Sequence, residues 1–189
     1  MKRWSIAFPI LSLIALTCAA QDVPPPPKPA DDGPSLADTM KFIEEKLGSI
    51  GQVNYVAYNH DNTAGTNGTN KFSSEASNVR ASVQSCLIGY HWRDIEEGEV
   101  LNDMDVWFPL KDVQEVVVQT MEQDLKETSS KAGHPEYSIR VDPPVFVIAV
   151  KRKNGGNPFV LYDESLANRI AKALVHAVEL CGGGNKDPF

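Results

Sequence analysis

Apolar positions recur along the chain in different rhythms, and each rhythm predicts a different element. Leu36, Met40, Ile43, Leu47 and Ile50 fall at spacings of four, three, four and three, with Lys41, Glu44, Glu45 and Lys46 between them. That pattern is one stripe of an amphipathic helix whose polar side mostly faces water. Ser35, after Pro34, suits its N-cap; Asp38 at the third helical position gives a weaker form of the capping box, and Gly48 and Gly51 offer stops. Near the other end, Leu166, Ile170, Leu174, Ala177 and Cys181 make a second stripe, widened by Ala167, Ala171 and Val178. Asn168, Arg169, Lys172, His176 and Glu179 occupy its opposite side. Asp163 is a suitable N-cap, Glu164 favours the first turn, and Gly182, Gly183 and Gly184 end a helix of about five turns.

Between the helices the rhythm shortens to that of strands. Val53–Tyr58, Arg80–Trp92, Val100–Leu110, Val113–Val118, Tyr137–Val141, Val145–Arg152 and Phe159–Tyr162 carry the β-branched and aromatic residues. Lys111 and Asp112 separate two of these runs, and Pro143 and Pro144 another two. Asn154, Gly155, Gly156 and Asn157 form a turn signal. Asn59–Asn70, rich in Asn, Thr and Gly, reads as a polar loop, and Met121–His134 as a loop or fraying helical turn. The expected class is α+β: an N-terminal helix, about seven antiparallel strands and a C-terminal amphipathic helix.

Ahead of all this stands an apolar run of another kind. Met1, Lys2, Arg3 and Trp4 open a basic head, Ile6–Leu16 is apolar, and Cys18, Ala19 and Ala20 are small. This is the pattern of a secretory signal peptide over residues 1–20, too short to span a membrane as a helix. Cleavage before Gln21 gives a periplasmic or secreted product; in the alternative, Cys18 is lipidated and anchors the chain, although Ala15 and Thr17 fit that cut poorly. Residues 21–34 hold Pro24, Pro25, Pro26, Pro27, Pro29 and Pro34 beside Asp31, Asp32 and Gly33, a solvated, disordered proline-rich spacer. Residues 35–184 then make one domain's worth of chain, with a flexible tail over 185–189. The full chain has a net charge of −7, and losing Lys2 and Arg3 makes it more acidic still. With no basic stripe, nucleic acid and anionic lipid surfaces are poor partners.

The order of elements resembles the pleckstrin-homology-like (PH-like) superfold. Val145–Arg152, the Asn154–Asn157 turn, Phe159–Tyr162 and the helix from Glu164 to Cys181 carry that resemblance, with the stretch Trp107–Val113 similar to its mid-domain strand pair. It implies two nearly orthogonal sheets forming a small barrel or sandwich over most of residues 52–182, closed at one end by the last helix. The helix at 35–50 is an addition to that plan. The tail string His176–Gly183 is similar to tails of exported bacterial proteins of unknown function.

Candidate chemistry is sparse. Cys86 and Cys181 remain once Cys18 is removed or lipidated, and export allows them to pair; two separate buried thiols are the alternative. Alternation sets Cys86 with Gln84 and Ile88, opposite Val83 and Leu87, so its facing is ambiguous unless a bulge shifts the register. Redox catalysis lacks a Cys-x-x-Cys pair. His60, His91, His134 and His176 show no metal-ligand spacing. Asp94, Glu96, Glu97, Glu99, Asp103 and Asp105 crowd around Gly98, either as a weak cation-binding loop or as the solvated tip of a hairpin, without the order of an EF-hand. No Gly-x-Ser-x-Gly elbow is present, and Gly182–Gly184 precedes no helix that could cradle phosphate. Asn67-Gly-Thr69 matches a glycosylation sequon. Tyr90, Trp92, Trp107 and Phe108 offer an aromatic patch for a ligand or partner, or else core packing.

These features favour an exported, non-catalytic domain that binds a protein, peptide or envelope component and uses no cofactor. The competing expectation is a hydrolase whose site assembles from His60, Asp61, His91 and His134.

Overall fold

The computed structural model describes residues 33–153 and 155–184. The expected signal peptide with Cys18, most of the proline-rich spacer, Asn154 of the turn signal and the tail 185–189 lie outside the described residues. The elements run α1 (Leu36–Gly48), β1 (Gln52–Asp61), β2 (Thr66–Ser82), β3 (Leu87–Glu96), β4 (Glu99–Pro109), β5 (Val113–Thr120), α2 (Met121–Lys131), β6 (Tyr137–Asp142), β7 (Phe146–Arg152), β8 (Gly155–Leu161) and α3 (Glu164–Leu180). Eight strands form two antiparallel sheets, ordered β4-β3-β2-β1-β6 and β5-β7-β8. The class is α+β as expected, with helices at both ends of the described chain. The sheets do not close into a barrel, and the described residues form eight strands rather than about seven.

Both terminal helices begin on the caps their sequences provide. The Ser35 hydroxyl accepts from the Asp38 N–H at 3.1 Å, and the Asp163 carboxylate from the Leu166 N–H at 2.9 Å. Helix α3 ends because Gly182 takes a left-handed φ of 77°, so that its N–H reaches Glu179 O and that of Gly183 reaches Val178 O. Each helix buries the stripe read from its periodicity: Met40, Ile43 and Leu47 on α1; Ala167, Ile170, Leu174, Ala177 and Val178 on α3. One α1 residue departs from its polar side. Glu44 accepts the Ala81 N–H at 2.7 Å, tying α1 to β2 just past a bulge where Asn78 adopts positive φ.

The large core joins α1 and α3 to Ile88, Tyr90 and Phe108 of the first sheet and Ile148, Val150, Phe159 and Leu161 of the second. A smaller core places Val53, Tyr55 and Ala57 of β1 against Met121, Val141, Val145 and Val147. Thus β7 is buried on both faces, which explains why Val145–Arg152 reads as a nearly unbroken apolar run. The corner between the sheets is the short 3-10 turn Leu110–Asp112, with Leu110 wholly buried. Gly183 crosses that corner so closely that a Cβ would stand 2.4 Å from the Leu110 carbonyl oxygen.

Three segments fold differently from what their residue patterns predict. The polar loop at Asn59–Asn70 is mostly a hairpin: β1 continues to Asp61, β2 starts at Thr66, and the strands pair in continuous register. These residues alternate without an apolar side because this end of the sheet is largely exposed. The segment Arg80–Trp92 is not one strand; the turn at residues 83–86 divides β2 from β3. Met121–His134 contains a true helix, α2, held by a reciprocal capping box: Thr120 Oγ1 accepts from Gln123 N–H, and Gln123 Oε1 accepts from Thr120 N–H.

Cys86 sits in the 83–86 turn at φ 50°, which removes the question of which strand face it occupies. It forms a disulfide with Cys181, the C-cap of α3, across a Cα separation of 5.9 Å. The β2–β3 turn is thereby fastened to the end of the last helix.

Candidate functional site

The hairpin of β3 and β4 carries most of the residues singled out above, and its pleat sorts them onto two faces. Tyr90, Trp92, Met104, Val106 and Phe108 alternate on the core side, whereas Gly89, His91, Arg93, Asp103, Asp105 and Trp107 share the outer side. The expected aromatic patch is therefore split. Tyr90 is buried and packs on Phe159 with ring centroids 4.8 Å apart. Trp92 is half-buried against the core, and Phe108 is fully buried beneath the Arg152 guanidinium. Only Trp107 faces outward, 58% exposed, with its indole lying across the backbone of Gly89. A Cβ on Gly89 would come within 2.2 Å of that ring, so glycine is what lets the indole lie flat on the sheet.

Beside Trp107 a histidine bridges two carboxylates. His91 Nε2 lies 2.9 Å from Asp103 and Nδ1 3.0 Å from Asp105, and Arg93 reaches Asp103 at 3.7 Å. Both ring nitrogens bear a proton only in the imidazolium, so the full clamp belongs to the charged form. The hydrogen bond to Asp105 raises the His91 pKa, supported by Asp103 and opposed by partial desolvation. Because the carboxylates take opposite ring nitrogens, one metal ion could not sit between all three.

The other acidic residues are engaged along the hairpin rather than around a cavity. Asp94 accepts from Ser74 Oγ, Glu96 from Asn70 Nδ2, and Glu97 from the Lys71 N–H. Glu96, Glu97, Glu99, Asp103 and Asp105 do not converge, and no group of three ligand-type residues that could hold a metal occurs among the described residues. These acidic residues form the tip of a hairpin and, at Asp103 and Asp105, a histidine clamp.

The residues of the expected hydrolase site converge only in part: His60 and His134 lie close enough to Asp61 to act on its charge, but each hydrogen-bonds elsewhere, and His91 stands far along the sheet. His60 bonds Asn67 at 2.9 Å, and His134 bonds Glu136 at 3.3 Å while stacking on Tyr137. Asp61 braces the β1–β2 turn, accepting from the N–H groups of Thr63 and Ala64 at 2.8 Å. The Ala64 bond, the largest cause, holds its carboxyl below the usual range. His60 pairs across to Asn67 and His91 to Ser77, positions at opposite ends of a long segment of β2. At ~3.3 Å per residue this places them on the order of 30 Å apart along the strand. His176 Nε2 donates to the Pro34 carbonyl, 2.9 Å away, where the chain enters α1.

The residue pattern alone does not reveal the strand edge. β4 closes one side of the five-stranded sheet, with no strand beyond it among the described residues. Among the described residues nine large apolar or aromatic side chains are exposed, and four of them, Val100, Leu101, Met104 and Trp107, belong to β4. A signal was present in the sequence: this run mixes large apolar residues with Asp103 and Asp105, the pairing expected of an edge protected from self-association. A second free edge, β5, lies between two grooves of about 660 and 400 Å³ against α2 and α3. Its Val116, Val117 and Val118 are only half-exposed. The chain matches no family model, no curated protein and no solved structure.

Proposed function

We propose that the chain is an exported, non-catalytic binding module of PH-like architecture, and that the free edge of β4 with Trp107 receives a protein partner. The concentration of four of the nine exposed large apolar side chains of the described residues on one edge strand carries this reading. An edge strand offers a row of backbone donors and acceptors, and exposed apolar residues along it favour strand addition by a partner. Export is supported by the signal-like pattern of residues 1–20 and by the Cys86–Cys181 disulfide, a bond uncommon in reducing compartments. The PH-like reading is supported by the consecutive pairing of β1 to β4, the second sheet built from β5, β7 and β8, and the closing helix α3. It departs from that plan in α2 and in β6, which joins the first sheet beside β1.

A photo-cross-linking residue at Met104 tests the reading in cells that export the full chain. The expected result is a discrete adduct from position 104 that disappears when Trp107 is replaced by alanine and is absent when the cross-linker sits at exposed Val83. Equal adducts from 83 and 104, or none from 104, would reject it.

A further inference from the structure

Resting on the β4 reading just given, we infer that the partner is an extended protein segment in which basic residues alternate with apolar ones. The pleat of β4 sets the chemistry that a neighbouring strand would meet. On the outer side it meets Asp103, Asp105 and the indole of Trp107; on the other it meets Met104 and Val106. Side chains on an added strand alternate in the same way, so every second position faces carboxylates and the intervening ones face apolar surface.

The charge balance of the hairpin points the same way. Asp94, Glu96, Glu97, Glu99, Asp103 and Asp105 are answered within β3 and β4 only by Arg93 and His91. The surface around the β4 edge therefore carries a net negative charge even with His91 protonated. It attracts a cationic segment and repels anionic lipid and nucleic acid.

A second copy of the chain fits poorly. Antiparallel self-pairing centred on Met104 would set Asp103 of each copy opposite Asp105 of the other, and centring on Asp103 would oppose the two Asp103 carboxylates. Like charges directly opposed across strands are destabilising. The same aspartates that select a basic strand thus oppose self-association in these registers.

The test uses the ¹⁵N-labelled full chain and three capped hexapeptides, alternating lysine, glutamate or threonine with valine, read by shifts of the backbone amides. The lysine peptide is expected to move the β4 amides from Asn102 to Trp107 and to bind about tenfold more tightly than the other two, the product of two or three cross-strand ion pairs. That preference should shrink in high salt. It should also vanish in the double variant Asp103→Asn/Asp105→Asn while threonine-peptide binding persists, which shows that the variant still folds. Equal binding of all three peptides at β4 would overturn the basic-segment inference and leave the β4 interface standing. Shifts confined to Val116–Val118 of β5, or no shifts, would overturn both. Concentration-dependent β4 shifts without peptide would replace the basic segment by a second copy.

Discussion

The hydroxyl of Tyr162 accepts a hydrogen bond from the backbone N–H of Asn54 at 2.7 Å and donates one to the carbonyl of the same residue at 2.8 Å. Asn54 lies on β1 before the point where β6 begins to pair, at Val56, so its outward backbone groups lack a strand partner. The phenol stands in for that missing strand, and because Tyr162 follows β8 the contact joins the two sheets. Tyr162→Phe removes only the oxygen. Stability should fall by about 1 kcal/mol, since water replaces part of what is lost at this exposed site. Chemical denaturation should show a lower midpoint with an unchanged slope. An unchanged midpoint would mean that the bridge contributes nothing.

The Cys86–Cys181 disulfide closes a loop of 95 residues that contains every strand from β3 to β8. In the chain-entropy account such a closure stabilises by about 4–5 kcal/mol, less any strain in the folded state. Replacing both cysteines by serine should lower the unfolding free energy by up to that amount. In a Cys18→Ser chain, thiol titration after denaturation should find none without reductant and two with it. Two free thiols before reduction would show that the residues do not pair.

His91 makes the β3–β4 hairpin pH-dependent, and the sign follows from its raised pKa. The folded state holds the proton more tightly than the unfolded chain, whose value lies near 6.5. The clamp's contribution is therefore complete below that pH and is lost as pH rises through the higher folded value. Hydrogen exchange of β4 amides should accelerate over that window, and His91→Gln should flatten the dependence. A histidine titration midpoint at or below 6.5 would contradict the clamp.

How far the residues announced this arrangement depended on whether a local pattern or a distant neighbour decided each element. The helices α1 and α3 were legible because periodicity, cap and stop agreed at every position. α2 was not, because of its apolar residues only Met121 is buried; its Thr120–Gln123 capping box was the readable sign. The strands at Asn59–Asn70 were hidden because an exposed hairpin needs no apolar side, so its residues resemble a loop. Cys86 looked like a strand residue until the turn at 83–86 broke the run. For the site, Trp107 and the acidic crowd were visible as residue types. Their placement on one face, away from Tyr90 and Trp92, depends on the pairing register, which no single segment encodes.

Gly89 gives the sharpest test of the outer face, because fold and surface ask different things of it. Its backbone does not require the left-handed region, so alanine is conformationally acceptable there. The nearest conflict is with the Trp107 indole, which a new Cβ would approach within 2.2 Å. That ring is 58% exposed and has room to swing outward, so Gly89→Ala should change global stability by less than about 1 kcal/mol. The indole should leave the sheet, shifting the Trp107 side-chain N–H resonance while that of Trp92, on the opposite face, stays in place. Partner capture through position 104 should fall as it does in Trp107→Ala, although the folded state is intact. If the Trp107 resonance and the cross-link are both unchanged, the indole does not rest on Gly89 and the flat outer face is not the surface that binds.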